Sequence, residues 1–372
     1  MECRSICFTC PPDWKGRLMT SRERVLAAFA REEPDRVPVN YLSNAGIDRR
    51  LKEHFGLALD DHDGLLKALD VDFRGAGAPY VGPPLHEPIP DRQIDIWGIH
   101  TRWIEHPSGG YWDYCDFPLQ DASLEEVEAW PMPSPDDFDY SGVAADCARH
   151  EGYCVVAGGA GCGDIINSTG MVRTMEQVLV DLMTGEEAGL RLIERRQEIL
   201  LETMRRTLQA GEGKFDVLWI GEDLGTQRSP LISLDLYRER IRPFHANWAN
   251  LGRDFGIPVM CHTCGSSSWA YDDFVDMGIS IVDTLQPEAA NMSPAYLKGR
   301  YGDRLAFHGC ISTAGALAYG TVDDVVADVR ATLEVMMPGG GYALAPTHCI
   351  QDNSPTENVL AMYEAAREYG QY

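Results

Sequence analysis

The sequence predicts a (β/α)8 barrel, a TIM-barrel fold forming one domain over residues 21–372, with a helical and hairpin extension towards its N-terminus and a flexible tail over residues 1–20. Three observations lead to this fold class. From about residue 152 onward, short apolar runs alternate with helical patterns, which is the rhythm of parallel β/α units. With two earlier runs, near 37–42 and 71–74, the runs number eight, which favours a closed barrel over an open sheet. No phosphate-binding G-x-G-x-x-G follows a strand: Gly158-Gly159-Ala160-Gly161 is irregular, and Gly339-Gly340-Gly341 precedes a strand instead.

Taken in order, residues 21–31 read as a helix, with Ser21 as cap and Val25, Leu26, Ala28 and Phe29 at helical spacing. The run Val37-Pro38-Val39-Asn40-Tyr41-Leu42 suits the first strand, and 46–55 and 63–69 read as helices. Residues 95–118 alternate apolar with polar or aromatic, as an antiparallel hairpin does. Pro131, Pro133 and Pro135 mark a rigid connector. Strands are then expected at 153–157, 217–220, 257–261, 279–282, 305–307 and 342–345, with helices over 186–208, 234–255, 269–277, 322–337 and 355–369. No strong repeat of about 20–50 residues and no low-complexity linker divides the 372 residues, so one domain is expected.

Composition narrows the function. Hydrophobic residues make up 44% and charged residues 24%, a globular profile. The formal charge of −25, from 32 basic and 57 acidic residues, opposes nucleic acid and anionic lipid. The acidic residues are dispersed, as on a solvated surface. No stretch approaches the roughly 18–20 apolar residues of a membrane span, and the N-terminus lacks a secretory apolar core, so a cytoplasmic enzyme is expected. The chain has 11 cysteines at irregular spacing, which in a cytosolic setting read as free, catalytic or metal-bound. Cys115, Cys147, Cys154, Cys162 and Cys261 form no pattern and read as small core residues. Cys3, Cys7 and Cys10 have the spacing of an iron–sulfur site, but they lie at the terminus with no strand ahead of them. They are read as part of a flexible tail, or as lying upstream of an effective start at Met19.

A barrel builds its active site at the C-terminal ends of its strands. Reactive residues do gather there: Asn40 and Tyr41 end the first run, and Asp164 and Asn167 lie beyond the third. Gly221-Glu222-Asp223, His262-Thr263-Cys264-Gly265, Asp283 with Gln286, His308-Gly309-Cys310 and Thr347-His348-Cys349 follow later runs. His262 and Cys264 are two apart at a strand end, so both face one side and can bite one ion. Zinc favours tetrahedral nitrogen and sulfur sets, and a catalytic site keeps one position open beside three protein ligands. By position, the third ligand is Cys349 or Cys310.

Further segments carry a family resemblance. Ser21-Arg22-Glu23-Arg24-Val25 with Glu33-Pro34-Asp35-Arg36-Val37-Pro38 resembles the opening of the uroporphyrinogen decarboxylase-like superfamily. So do Gly221-Glu222-Asp223-Leu224-Gly225-Thr226-Gln227 with Pro230-Leu231-Ile232-Ser233, and the stretch from Gly339-Gly340-Gly341-Tyr342 to Pro355-Thr356-Glu357-Asn358-Val359. The resemblance covers nearly everything after residue 20 and implies a (β/α)8 barrel. Of the superfamily's two chemistries, the decarboxylases carry an N-terminal arginine-rich motif that grips propionates. Here Val39-Asn40-Tyr41-Leu42-Ser43 follows Pro38, and a many-carboxylate substrate would lack its basic clamps. The other branch, cobamide-dependent methyltransferases similar to the methylcobamide:coenzyme M methyltransferases, holds zinc through a His-x-Cys pair and a distant cysteine. The resemblance therefore implies His262, Cys264 and Cys349 as zinc ligands.

On that reading Glu222 is the candidate catalytic carboxylate, with hydrogen bonding at the strand end as its alternative. Tyr41, Asp223, Gln227, Gln286 and Cys310 are candidate substrate-pocket residues, and His348 is read as structural. Zinc would either lower a thiol's pKa for attack on a methyl–cobalt corrinoid or polarise an ether for demethylation. The corrinoid (cobalamin) is expected on a separate protein, because no D-x-H-x-x-G segment binds it here. Tyr41, Tyr80, Trp97, Tyr111 and Trp112 are compatible with a methoxylated aromatic substrate. Two alternatives stand beside this: a metal-free decarboxylase acting on a porphyrinogen, and a non-catalytic zinc-containing partner of a corrinoid protein.

Overall fold

A computed structural model describes residues 18–106 and 109–372, so the cysteine pattern at positions 3, 7 and 10 lies outside the described residues. Seven parallel strands form one curled sheet: β1 (Phe73–Gly75), β5 (Cys154–Gly158), β6 (Val217–Gly221), β7 (Val259–Thr263), β8 (Ile281–Thr284), β9 (Ala306–Ile311) and β10 (Tyr342–Pro346). These runs are almost wholly buried because helices cover one face and the barrel interior covers the other. The eighth position is filled by the segment 37–42. It bonds to β10 through Leu344 N–H to Pro38 O and Asn40 N–H to Leu344 O, at 2.8 and 2.9 Å. Asp72 N–H donates to Val39 O at 3.0 Å on its other side, which closes the barrel. Pro38 has no N–H to give, so the segment makes isolated bridges rather than a regular strand.

The first helix runs Ser21–Phe29, and its cap is Thr20 rather than Ser21. Thr20 Oγ1 accepts from Glu23 N–H while the Glu23 carboxylate accepts from Thr20 N–H, a reciprocal box that Ser21 could not form with residue 24 being arginine. The long outer helices Glu187–Ala210, Val322–Met336 and Thr356–Tyr369 fall where the apolar spacing predicts them. The helix expected over 234–255 instead contains a wide π-helical turn at Tyr237–Ile241 before Arg242–Phe255. Pro243, lacking an N–H, stands at the start of the second part.

The expected hairpin is part of a three-stranded antiparallel sheet, inserted between β1 and β5. β3 (His100–His106) pairs with β4 (Gly109–Cys115), and the short β2 (Gln93–Ile94) adds to β3. Its base rests on a satellite core of Ile99, Leu119, Val127, Val172, Ala188 and Leu192. Its far end reaches the loop after β10: a Cβ on Gly109 would meet the Asp352 carboxylate at 3.0 Å. The insertion therefore runs to the loop that carries Cys349.

Candidate metal and substrate site

The site begins with β-sheet register. Gly221, His262, Asp283, His308 and Ala343 are successive register partners on β6 to β10, so their positions form one row around the barrel. Gly221 contributes no side chain, and a Cβ there would strike Ala160 O at 1.6 Å. His262 and Asp283 can thus meet across neighbouring strands. His262 Nδ1 lies 2.7 Å from Asp283 Oδ2, and Asp283 Oδ1 lies 2.6 Å from His308 Nδ1. Thr284 Oγ1 is also 2.7 Å from His262 Nδ1.

The turn after β7 is pinned from both sides. Cys264 N–H donates to Asp223 Oδ1 at 2.8 Å, from the end of β6. Gly265 N–H donates to Gln286 Oε1 at 2.7 Å, from beyond β8. Gly265 has φ +71 and packs so closely that a Cβ would meet Gly225 O at 2.1 Å, so only glycine fits the turn. Its consequence is that Cys264 Sγ lies 3.3 Å from His262 Nε2. Asp223 Oδ1 stands 3.8 Å from the same nitrogen. Among the described residues, the ligand atoms of Asp223, His262 and Cys264 all lie within 4.8 Å of one another.

Cys349 is outside that tight group. It sits half-buried on the loop after β10, which is tied to the seam segment by Ile350 N–H to Leu42 O and Asn44 N–H to Ile350 O, both at 3.0 Å. Burial pushes its thiol up, and the His262 charge acts in the opposite direction, so the two side chains are within electrostatic reach. The Cys264 thiol is likewise pushed up by burial and pulled back by His262. Burial disfavours a charge on His262, but Asp283 and Cys264 outweigh it and hold its proton well above the ordinary histidine range. Burial also opposes charge on Asp283, yet the two imidazoles keep it ionised, well below the usual carboxylate range.

The other expected residues divide. Glu222 is fully buried, with Oε2 accepting from Ile165 N–H at 2.8 Å and Oε1 from Ile166 N–H at 3.0 Å. It holds the start of helix Ile166–Arg173, and its oxygens are not among the ligand atoms that converge at His262 and Cys264. Burial raises its carboxyl to about 8, with the two N–H donors pulling it down. Asp223 belongs to the group itself, and its Oδ2 accepts from Asn167 Nδ2 at 2.9 Å. Gln227 Nε2 donates to Gln286 Oε1 at 3.2 Å, so the two glutamines form one unit beside the Cys264 turn. Tyr41 lines a cavity of about 440 Å3 with Asn40, His62, Phe73 and Trp219. Cys310 is buried, and burial pushes its thiol up with Asp328 and Glu288 adding to the effect. It does not join the His262 and Cys264 group. His348 is exposed, with Nδ1 3.4 Å from Cys349 O. Position after a strand singled out Asp283 and His308 in the sequence. The bonds of Asp283 to both His262 and His308 needed the register between strands.

Comparison with known proteins bears on this arrangement. The uroporphyrinogen decarboxylase (URO-D) family profile matches residues 116–369. The chain belongs to that family. Within it, the chain is 28% identical over 162 residues to the methylcobamide:CoM methyltransferase MtaA of Methanosarcina barkeri, a match covering 42% of this chain and 43% of that relative. The match thus spans less than half of the curated relative's length. Among solved structures, a methyltransferase from Methanosarcina mazei superposes with a TM-score of 0.64 at 18% identity, covering 94% of this chain and 99% of that one. At that identity the likeness establishes the shared barrel. No helix among the described residues is long and apolar enough to cross a membrane.

Proposed function

We propose that this chain is a zinc-dependent methyltransferase, moving a methyl group between a small substrate and the cobalt of a corrinoid carried by a separate protein. The observation that carries the reading is the pairing of His262 Nε2 with Cys264 Sγ at 3.3 Å, at the mouth of the barrel, with Nδ1 already taken by Asp283. This donor set fits zinc: an imidazole nitrogen steered by a carboxylate stands next to a sulfur, as nitrogen and sulfur sites require. Cys349, on the loop tied to the seam, is the proposed third ligand. Bound there, zinc would act as a Lewis acid on a thiol or ether heteroatom at its remaining position. The similarity to MtaA supports the corrinoid as methyl partner. The substrate class is a thiol or a methoxylated aromatic.

The chain's own residues prepare the site. Asp283 orients His262, and Asp223 and Gln286 fix the turn that presents Cys264. Tyr41 and the Gln227–Gln286 pair are proposed to contact substrate. Glu222 is proposed to act through structure, holding the 165–166 backbone beside Asp223.

Metal analysis of the purified protein is expected to find about one zinc per chain, lost in Cys349→Ser together with methyl transfer. The assay screens thiols and methoxyarenes against methylcobalamin and cob(I)alamin. Full methyl transfer by a wild-type protein free of metal would overturn the zinc reading. Turnover of a porphyrinogen without metal would favour the decarboxylase instead.

A further inference from the structure

We infer that Asn40 and His308 are positioning residues: from across the barrel they fix which nitrogen of His262 is turned towards Cys264. The inference takes its consequence, though not its first test, from the proposed metal site. The donors and acceptors along the chain admit one assignment. Asn40 Oδ1 accepts from Tyr41 N–H at 2.8 Å, which settles which way the amide points. Its Nδ2, a donor only, then faces His308 Nε2 at 3.0 Å. That ring nitrogen must therefore carry the lone pair, and the proton of His308 sits on Nδ1. From there it is donated to Asp283 Oδ1 at 2.6 Å.

Asp283 is left with Oδ2 as the acceptor for His262 Nδ1–H at 2.7 Å. Thr284 Oγ1 lies equally close to that nitrogen, but a hydroxyl can donate or accept and so dictates nothing. The carboxylate accepts only. His262 Nε2 is thereby the nitrogen turned towards Cys264.

The geometry makes this chain continuous. Asn40 stands on the seam segment, His308 on β9, Asp283 on β8 and His262 on β7. Between the seam and β9 runs β10, where His308 is in register with Ala343, a residue with too little side chain to intervene. Asn40, His308 and Asp283 are 5%, 0% and 1% exposed, so bulk water does not compete for the hydrogen bonds among these three. The Phe73 and Trp219 rings stand tilted or edge-on to His308, with centroids at 5.4 and 5.7 Å. A buried network with every partner assigned has one low-energy arrangement of protons.

The test begins with 15N NMR of the histidine side chains in the metal-free, full-length protein. His308 is expected as the neutral ring protonated at Nδ1. In Asn40→Asp the new carboxylate demands a donor, so His308 should become protonated at both nitrogens. Its charge then competes for Asp283, and zinc affinity by chelator competition should fall about tenfold or more, in the range of outer-shell changes. His308 protonated at Nε2 in the wild type, or at both nitrogens, overturns the inference. So does unchanged zinc affinity in an Asn40→Asp protein whose His308 has gained its second proton. If the variant does not fold, the wild-type spectrum alone decides. A wild type that shows the expected ring but binds no zinc supports the chain of positions and removes the metal site.

Discussion

Asp283 is asked to hold two imidazoles at once, His262 through Oδ2 and His308 through Oδ1. Replacing one oxygen by an amide nitrogen breaks one of these contacts and turns a donor towards a ring N–H. Asp283→Asn is therefore expected to weaken zinc binding by about 10- to 100-fold, read by chelator competition. An unchanged zinc constant would mean that His262 is oriented by Thr284 alone. His245 supports a different prediction. It is enclosed, bonded to the Tyr237 hydroxyl at 3.1 Å, and burial lowers its pKa to about 4. The folded state thus refuses a proton that the unfolded chain accepts below about 6.5. Stability should be unaffected by this group above pH 6.5 and fall by roughly 3 kcal/mol as pH drops to about 4. His245→Asn keeps a polar partner for Tyr237 and should flatten that slope in denaturation curves measured from pH 7 to pH 4. A slope that persists would place the acid sensitivity elsewhere.

At the scale of elements, the barrel strands were legible because burial on both faces leaves short uninterrupted apolar runs. His262 and Cys264 were legible as a pair from their two-residue spacing at a strand end, although Cys264 itself stands just past β7, in the turn that Asp223 and Gln286 pin. The same rule fails at Cys310. Gly309 and Cys310 have φ +125 and +74, which breaks the extended alternation after His308, and the thiol lies within reach of Asp328 and Glu288 instead. The Asn40–His308–Asp283 chain was illegible for another reason: it joins residues through register, which no single segment encodes. Short helices such as Val143–Arg149 and Pro294–Tyr301 carry too few turns to show a periodic face. One corner of the insertion is built around a glycine. Gly98 has φ +77, and a Cβ there would meet the Trp130 ring at 2.4 Å and His86 at 2.8 Å. Trp130 Nε1 in turn donates to Trp97 O, and the Trp97 ring lies 4.7 Å from the Arg196 guanidinium. Gly98→Ala should loosen this corner and expose the β2–β4 sheet to limited proteolysis, while far-UV circular dichroism of the barrel stays near wild type. Wild-type protease resistance would show that the corner can shift to make room.

For the whole molecule, the weak point is the seam where the chain closes on itself. The segment 37–42 is held by isolated backbone bonds on either side, yet it carries Asn40 and Tyr41, and the residues just beyond it strap the Cys349 loop. Its clamp is Asp72, which has no solvent exposure. Its carboxylate accepts from Arg24 Nη1 at 2.7 Å, from Arg36 Nη1 and Nη2 at 2.8 and 3.1 Å, and from Val39 N–H at 2.9 Å. Arg24 also pairs with Asp35, so one carboxylate joins the first helix, the segment before the seam and β1. Removing it leaves two largely buried guanidinium groups short of a partner and a backbone N–H without an acceptor. Breaking a buried pair from one side costs about 3–5 kcal/mol, and Asp72→Ala is expected to lose that much in chemical denaturation. The loss should not be confined to stability. Because the seam positions both Asn40 and the Cys349 loop, zinc affinity should fall as well, although Asp72 touches none of the proposed ligands. Arg36→Ala leaves the buried Arg24–Asp72 pair intact, and should cost less on both measures. Hydrogen exchange would distinguish the cause: amides of Asn40, Asn44, Leu344 and Ile350 should lose protection in Asp72→Ala, with β6 to β8 less affected. A destabilised protein that binds zinc with wild-type affinity and keeps those amides protected would show that the seam and the site are independent.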